Sequence, residues 1–359
     1  MILHDVSYKG GKDMSKRNKI IVGILLAVSI LVAGNEIYQY VRGLTADYPD
    51  NDINGYIAWA AGGATDTTSR GISVQAQKFL GTNIVMQNKT GATGAIATEF
   101  VSRLPADGYS LLFNAENPTL YHVMDISNVD YEEFYPVLLF GSQVPVVIVP
   151  PGSKYQSIKD VIEDAKANPG KISLGISGVG GLPYNVSCML QSTSEVEFNQ
   201  VPFDGDSSII SALLGGHVDL SIVNFSTAAD LYKTGDLRIL TVLNNERMEA
   251  IPEVETISEV YPEYEKYFPW GAFTGVYCRK DVDDERKAIL TKAFLDGYNT
   301  EDFQKYLADN YIIPLGISGE EAETFIKRWQ SVTTWLLYDS GATNISPENF
   351  GIPRIEDFE

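Results

Sequence analysis

Apolar residues in this chain fall in short runs closed by glycine, proline, asparagine or aspartate, alternating with longer stretches at helical spacing. Residues 56–60 form one apolar run of buried-strand length. Gly62 and Gly63 follow, where the chain turns tightly and bare backbone can approach a ligand. Thr65 and Asp66 are N-cap candidates for a helix whose apolar side is Ile72, Ala76, Phe79 and Leu80. Such a corner points unpaired N–H groups at one spot. Its bland counterpart is an ordinary strand–turn–helix corner with a capped helix.

The pattern continues in the same rhythm. Residues 83–87 predict a strand, 88–94 a glycine-bearing turn and 95–104 a helix with Ile96, Phe100, Val101 and Leu104 on one side. Residues 109–113 predict a strand. The run 144–150, bounded by prolines, is a strand at which the chain leaves one lobe for another. A helix over 157–167 opens with Ser157 and Asp160 in capping-box spacing and stops at Asn168-Pro169-Gly170. Strand 172–176, the turn Ser177-Gly178-Val179-Gly180-Gly181 and a helix start at Pro183 repeat the opening architecture. Strands over 196–201, 218–223 and 237–243 and a helix over 206–214 complete that lobe. Near 269–279 the chain returns, and 284–299, 301–308 and 319–337 predict helices. The tail from Ser340 reads as irregular. Alternating strands and helices of this kind predict an α/β fold with mostly parallel strands.

Composition narrows the function. A chain of 359 residues with 44% hydrophobic and 21% charged residues has enough material for two folded domains. A net charge of −20 disfavours nucleic acid or an anionic membrane surface as the main partner. Two cysteines, Cys188 and Cys278, and three histidines give no zinc spacing, and no metal or cofactor is expected. Each cysteine reads as a small core residue. No G-x-S-x-G, H-E-x-x-H, Walker lysine or G-x-G-x-x-G is present, so no catalytic constellation forms. Asn114, Asn117, Ser226 and Thr227 fall at the C-terminal ends of strands, where open α/β sheets bind ligands.

At the N-terminus, Lys16, Arg17 and Lys19 precede the uncharged run 20–34. A basic flank before an apolar core is an export signal. At ~1.5 Å rise per residue the run spans roughly 22 Å, less than the ~30 Å hydrocarbon core, so cleavage competes with a retained anchor. The absence of Ala-x-Ala and the unbroken continuation over 35–43 favour the anchor. No cysteine follows for a lipoprotein link. Lys9-Gly10-Gly11 before Lys12-Asp13-Met14 resembles a translated ribosome-binding site, which predicts initiation at Met14. Residues 42–54 read as a linker.

Several segments in order carry a family resemblance: Ala61-Gly62-Gly63-Ala64-Thr65-Asp66, Gln87-Asn88-Lys89-Thr90-Gly91-Ala92-Thr93-Gly94 and Asp107-Gly108-Tyr109-Ser110-Leu111-Leu112. Ala167-Asn168-Pro169-Gly170-Lys171-Ile172, Val201-Pro202-Phe203-Asp204-Gly205 and Leu213-Leu214-Gly215-Gly216-His217-Val218-Asp219 follow. From about Tyr56 to Trp329 the chain resembles the substrate-binding proteins of tripartite tricarboxylate transporters, the TctC or Bug family. The resemblance implies a two-lobed periplasmic-binding-protein-like clamshell, each lobe a mostly parallel sheet flanked by helices, joined by two crossover strands. It implies a leader over 1–49, one lobe from 50–145 plus 272–340, a second from 146–271 and a tail over 341–359. It further implies a non-enzymatic extracytoplasmic receptor for a small organic acid, amino acid or related carboxylate, serving a membrane permease. A sensory co-receptor, or an enzyme on the same scaffold, is the alternative.

Candidate contacts are Gly62, Gly63, Ala64, Thr65 and Asp66 from the first turn, and Asn114 from a strand end. Ser177, Gly178, Gly180, Gly181, Leu182 and Tyr184 come from the second turn, then Phe203, Asp204, Gly205, Asp206 and Asn224. The chain departs from the family at Ala60 and Ala61, where prolines are usual, and at Gly181-Leu182-Pro183-Tyr184-Asn185. It also has Phe203-Asp204-Gly205-Asp206 where the family tends to have Tyr-Lys-Gly-Gly. Two added carboxylates disfavour a di- or tricarboxylate by Coulomb repulsion, unless Asp206 caps its helix and Asp204 faces solvent. Tyr184 and Trp59 either stack on a ring-bearing ligand or pack in the core.

Overall fold

Ile53–Ile57 (β1) lies between two parallel neighbours, Ile84–Asn88 (β2) and Ser110–Ala115 (β3), in a computed structural model that describes residues 48–358. The leader, the apolar run 20–34, its basic flank and Met14 lie outside the described residues. The expected linker ends before Ile53, which is fully buried in β1. The first strand therefore begins and ends three residues earlier than its apolar run suggested, and residues 58–60 already belong to the turn.

Ala64–Leu80 (α1) connects β1 to β2 and buries Ile72, Ala76 and Leu80. Phe79, expected on the same side, is half exposed. Ala95–Ser102 (α2) buries Ala97, Thr98 and Val101 and leaves Ile96 half exposed, so its small residues, not its large ones, meet the sheet. Both helices cross over between parallel strands, as right-handed βαβ units require.

Three further strands extend this sheet: Phe134–Ser142 (β4), Phe273–Arg279 (β10) and Ile313–Ile317 (β11). Its order is β11-β4-β10-β3-β1-β2. The sequence pattern missed β4 and β11, which carry Pro136 and Pro314. Proline is tolerated at bulges and sheet edges. Pro136 sits beside a register shift opposite Tyr277, and β11 is an edge strand.

A second sheet has the order β7-β6-β8-β5-β9. Its strands are Pro145–Val149 (β5), Ser173–Ile176 (β6), Asn199–Pro202 (β7), Leu220–Asn224 (β8) and Arg238–Val242 (β9). Ile158–Ala167 (α3), with the expected Ser157–Asp160 capping box, follows β5. Leu182–Ser194 (α4), Asp206–Leu214 (α5) and Phe225–Thr234 (α6) follow β6, β7 and β8 in turn. Parallel pairing is confined to β1–β3 and β6–β8; every pairing made by β4, β5, β9, β10 or β11 is antiparallel. Both sheets are mixed because the strands that pass between them enter antiparallel.

The chain passes from one sheet to the other at residues 143–144 and returns near 271–272. These two crossings are bonded side by side. The Gln143 N–H donates to the Ala272 carbonyl at 2.7 Å. The C-terminal helices are Asp284–Tyr298 (α8), Glu301–Asp309 (α9) and Gly319–Asp339 (α10), with the short helix Ile257–Val260 (α7) before β10. α10 buttresses the crossing: the Trp329 indole N–H donates to the Gly271 carbonyl at 2.9 Å, and Trp270 stacks on Trp329. The irregular tail is pinned to α10, with the Arg354 guanidinium over the Trp335 ring and paired with Asp339. Cys188 and Cys278 are free and buried.

At Gly271 an added Cβ would stand 2.1 Å from the Gln143 carbonyl oxygen, a backbone atom that can move only with its strand. Gly271→Ala is expected to lower stability by about 1–3 kcal/mol, as overpacking of a close contact does. Equilibrium urea denaturation checks this, and an unchanged midpoint would show that the crossings are looser than described.

Candidate functional site

Four helices begin around one small cavity, and none of the four has a side-chain cap. Gly63 is the N-cap of α1, Gly181 of α4, Gly205 of α5 and Asn224 of α6. An uncapped start leaves N–H groups without intrahelical partners and carries roughly half a positive charge. Gly63, Ala64 and Thr65 from the first corner line the cavity. Ser177 and Leu182 come from the second, Gly205, Asp206 and Ser207 from the third, and Asn224 from the fourth. The enclosed space is about 50 Å³, room for a small solute only.

A larger cavity of about 480 Å³ adjoins it, sharing Trp59 and Ser177. Gly178, Phe203 and Asp204 line that space, with Asp204 exposed to solvent.

Six candidates face neither cavity, each for a local reason. Asp66 is the third residue of α1 rather than its cap. Its carboxylate turns back to accept from the Gly62 N–H at 3.0 Å, and also from Arg70 Nε and Asn88 Nδ2. Gly62 and Asp66 therefore lock the turn from behind. Asn114 is fully engaged: its Oδ1 accepts from the Trp59 indole at 3.0 Å, and its Nδ2 donates to Thr98. It positions Trp59. The Gly180 carbonyl accepts from Asn117 and Asn185, at 2.8 and 3.2 Å, which holds Gly180 and Gly181 outside the lining. Tyr184 packs against the core, and burial pushes its phenol up to about 12.

Two side-chain bonds cross between the lobes' turns. Asn117, just after β3, reaches Gly180, and the Thr93 hydroxyl donates to the Val179 carbonyl at 2.8 Å. The turn over 177–181 is thus tied to the 88–94 turn and to the end of β3, and it lines the same cavity as Gly63, Ala64 and Thr65.

Trp59 and Asn117, which the sequence pattern singles out, line the cavity, and so do Ala60, Ala115, Glu116, Gln143, Ser207, Ala272 and Thr274, which it does not mark as contacts. Glu116 matters most, being only 2% exposed. It is the first residue beyond β3, so the strand-end rule that selected Asn114 and Asn117 spans it. Burial pushes its carboxyl up to about 8; the N–H groups of Glu116 and Phe273 hold it down, and Asp206 adds repulsion. Asp206 is pushed up to about 6 by burial, against hydrogen bonds from Asn224 and Thr227. It is the first helical residue of α5 and not its cap.

Four buried side-chain atoms at the cavity have no hydrogen-bond partner in the protein: Glu116 Oε2, Asn117 Oδ1, Gln143 Nε2 and Asn224 Oδ1. Among the described residues no cluster of three or more His, Cys, Asp or Glu is arranged to hold a metal.

Comparison with known proteins identifies the scaffold. Residues 68–334 match TctC, the tripartite tricarboxylate transporter family receptor. The chain belongs to this family. Among TctC relatives, protein BugT of Bordetella pertussis strain Tohama I is 27% identical over 318 residues, covering 86% of this chain and 96% of BugT. The periplasmic binding protein BugD superposes with a TM-score of 0.76 at 25% identity, over 82% of this chain and 99% of BugD. R. palustris Rpa4515, solved with adipate, superposes with a TM-score of 0.77 at 22% identity over 82% of this chain and 99% of its own. The TctC fold is thus a periplasmic-binding-protein fold in which this cavity falls between two mixed sheets.

The raised carboxyl at Glu116 has a consequence for stability. Between its ordinary value of 4.5 and about 8 the folded protein keeps a proton that the unfolded chain has lost, so stability falls as pH rises through that window. Glu116→Gln is expected to flatten the profile and, near pH 8, to exceed the parent protein by on the order of a few kcal/mol. Urea denaturation across pH checks it; parallel curves for the two proteins would contradict the assignment.

Proposed function

We propose that this TctC-family chain is an extracytoplasmic solute receptor that captures a small carboxylate-bearing molecule between its lobes and delivers it to a membrane permease. The observation that carries this reading is the convergence of four uncapped helix starts on one cavity. Their N–H groups favour a carboxylate, by main-chain hydrogen bonds and the helix dipoles together. The adipate in Rpa4515 supports the same ligand class on the same fold.

In this reading Gly63, Ala64, Thr65, Ser177, Leu182, Gly205 and Asn224 contribute the contact surface, with ordered water filling the remainder. Gly62, Asp66, Asn114, Gly180 and Gly181 hold the turns in place, and Gly178, Phe203 and Asp204 border the approach. The lobes are 50–145 with 272–340, and 146–271. They open and close about the paired crossings at 143–144 and 271–272, a hinge in which a few residues absorb the change. The basic and apolar N-terminal segment tethers the receptor to the outer face of the membrane. Among the described residues no helix is long and apolar enough to cross one.

Gly63 gives a direct test. Its backbone is extended (φ −78°), and an added Cβ meets only the Ala60 carbonyl oxygen at 3.5 Å. Gly63→Asp fits and caps α1 with its own carboxylate, which gains a few tenths of a kcal/mol. It is expected to lower solute affinity at least about tenfold, because the side-chain carboxylate takes N–H groups meant for the solute. Isothermal calorimetry of the full-length protein with a panel of monocarboxylates, dicarboxylates and amino acids checks it. Unchanged affinity would remove this helix end from the site.

A further inference from the structure

The cavity carries an electrostatic contradiction. Its helix starts suit an anion, yet among its described lining residues there is no lysine, arginine or histidine, and two of them are the carboxylates Glu116 and Asp206. A solute with carboxylates at both ends would place one against these acids. The unpartnered atoms point the same way. Two of the four are amide acceptors, Asn117 Oδ1 and Asn224 Oδ1, and Glu116 Oε2 becomes a third when its carboxyl ionises.

One of the amide orientations is fixed by another bond. Asn117 Nδ2 is committed to the Gly180 carbonyl at 2.8 Å, so its oxygen is the free atom. Gln143 Oε1 accepts from the Ser226 hydroxyl at 2.8 Å, with Nε2 left without a partner. Buried acceptors of this kind are matched by donors in a working site.

We infer that the cavity selects a small solute bearing an ammonium group as well as a carboxylate, with the ammonium on Glu116, Asn117 and Asn224 and the carboxylate on the helix starts. This rests on the carboxylate reading proposed above and narrows it to zwitterions of the amino-acid class. Binding is then coupled to a proton. Burial keeps Glu116 protonated at neutral pH, and an arriving ammonium favours the ionised form, so the Glu116 proton leaves to solvent. The titratable groups around Glu116 are Asp206 from α5 and the phenols of Tyr121, Tyr131 and Tyr277, all three raised by burial and neutral. The phenols are no bases at pH 7, and Asp206, at about 6, stays mostly ionised there, so the proton passes to solvent.

Calorimetry of the full-length protein tests this in buffers of different ionisation heat. The probes are the common amino acids with β-alanine and 4-aminobutyrate, the dicarboxylates malonate to adipate, and alkylamines of matching length. The expected result is that an amino acid binds more tightly than any dicarboxylate or alkylamine and releases a proton near pH 7. Glu116→Gln should then cut its affinity about ten- to a hundredfold and abolish the release. Asp206→Asn, at the cavity's other acid, should weaken the same ligand if the Gln variant does not fold.

A dicarboxylate as the tightest ligand, taking up a proton or none, would overturn the ammonium subsite and leave the carboxylate receptor standing. An alkylamine that matches the best amino acid would instead overturn the carboxylate reading beneath it. Failure of every amino acid to bind overturns the inference outright.

Discussion

Unsatisfied backbone N–H groups at four helix starts are the constraint around which this molecule is arranged. A helix start without a cap keeps its polar groups only if water or a solute meets them. Glycine occupies three of the four cap positions and Asn224 the fourth, with its side chain directed to Asp206 rather than to its own helix. The helices are thereby left open at the one place where β1, β6, β7 and β8 end. Around that opening the turns are rigid. Asp66 and Asn114 spend their hydrogen-bonding capacity on backbone and neighbouring side chains, and Asn117 spends its Nδ2 on the Gly180 carbonyl, holding the turns in place without filling the space in front of them.

The second organising feature is the pair of adjacent crossings. One hydrogen bond from Gln143 to Ala272 ties the two chain crossings between the sheets seen among the described residues, and Gly271 lets them lie closer than a side chain would permit. Gln143 also lines the cavity, with its Oε1 bonded to Ser226 on α6. Cavity, crossing and second sheet therefore meet at one side chain. The stacked Trp270 and Trp329 hold α10 against this junction, so a change at the crossing is felt by the longest helix.

Electrostatics oppose one another at the site. The chain carries a net charge of −20, and two of its acids border the cavity. Against this stand only helix dipoles and main-chain donors, which are short-ranged and strongest where water is excluded. Burial resolves part of the conflict by keeping Glu116 neutral.

The glycine pairs, the order of strands and helices, and the family segments were set by local sequence, because turn geometry and periodicity act over a few residues. Ser157 and Asp160 formed the capping box their spacing dictates. What the pattern misjudged was decided at long range. Pro136 and Pro314 argued against strands that the sheet accepts at a bulge and an edge. Phe79 and Ile96 had helical spacing but lost the buried face to smaller neighbours. Asp66 had the composition of a cap, yet Arg70 and Asn88 drew it behind the turn. Glu116 was passed over between two asparagines because its role depends on burial beside Asp206, ninety positions further along the chain. Sequence alone determined where the backbone turns; only the tertiary structure decided which helices start uncapped and which carboxylates those starts would face, since burial and apposition depend on residues remote in the chain.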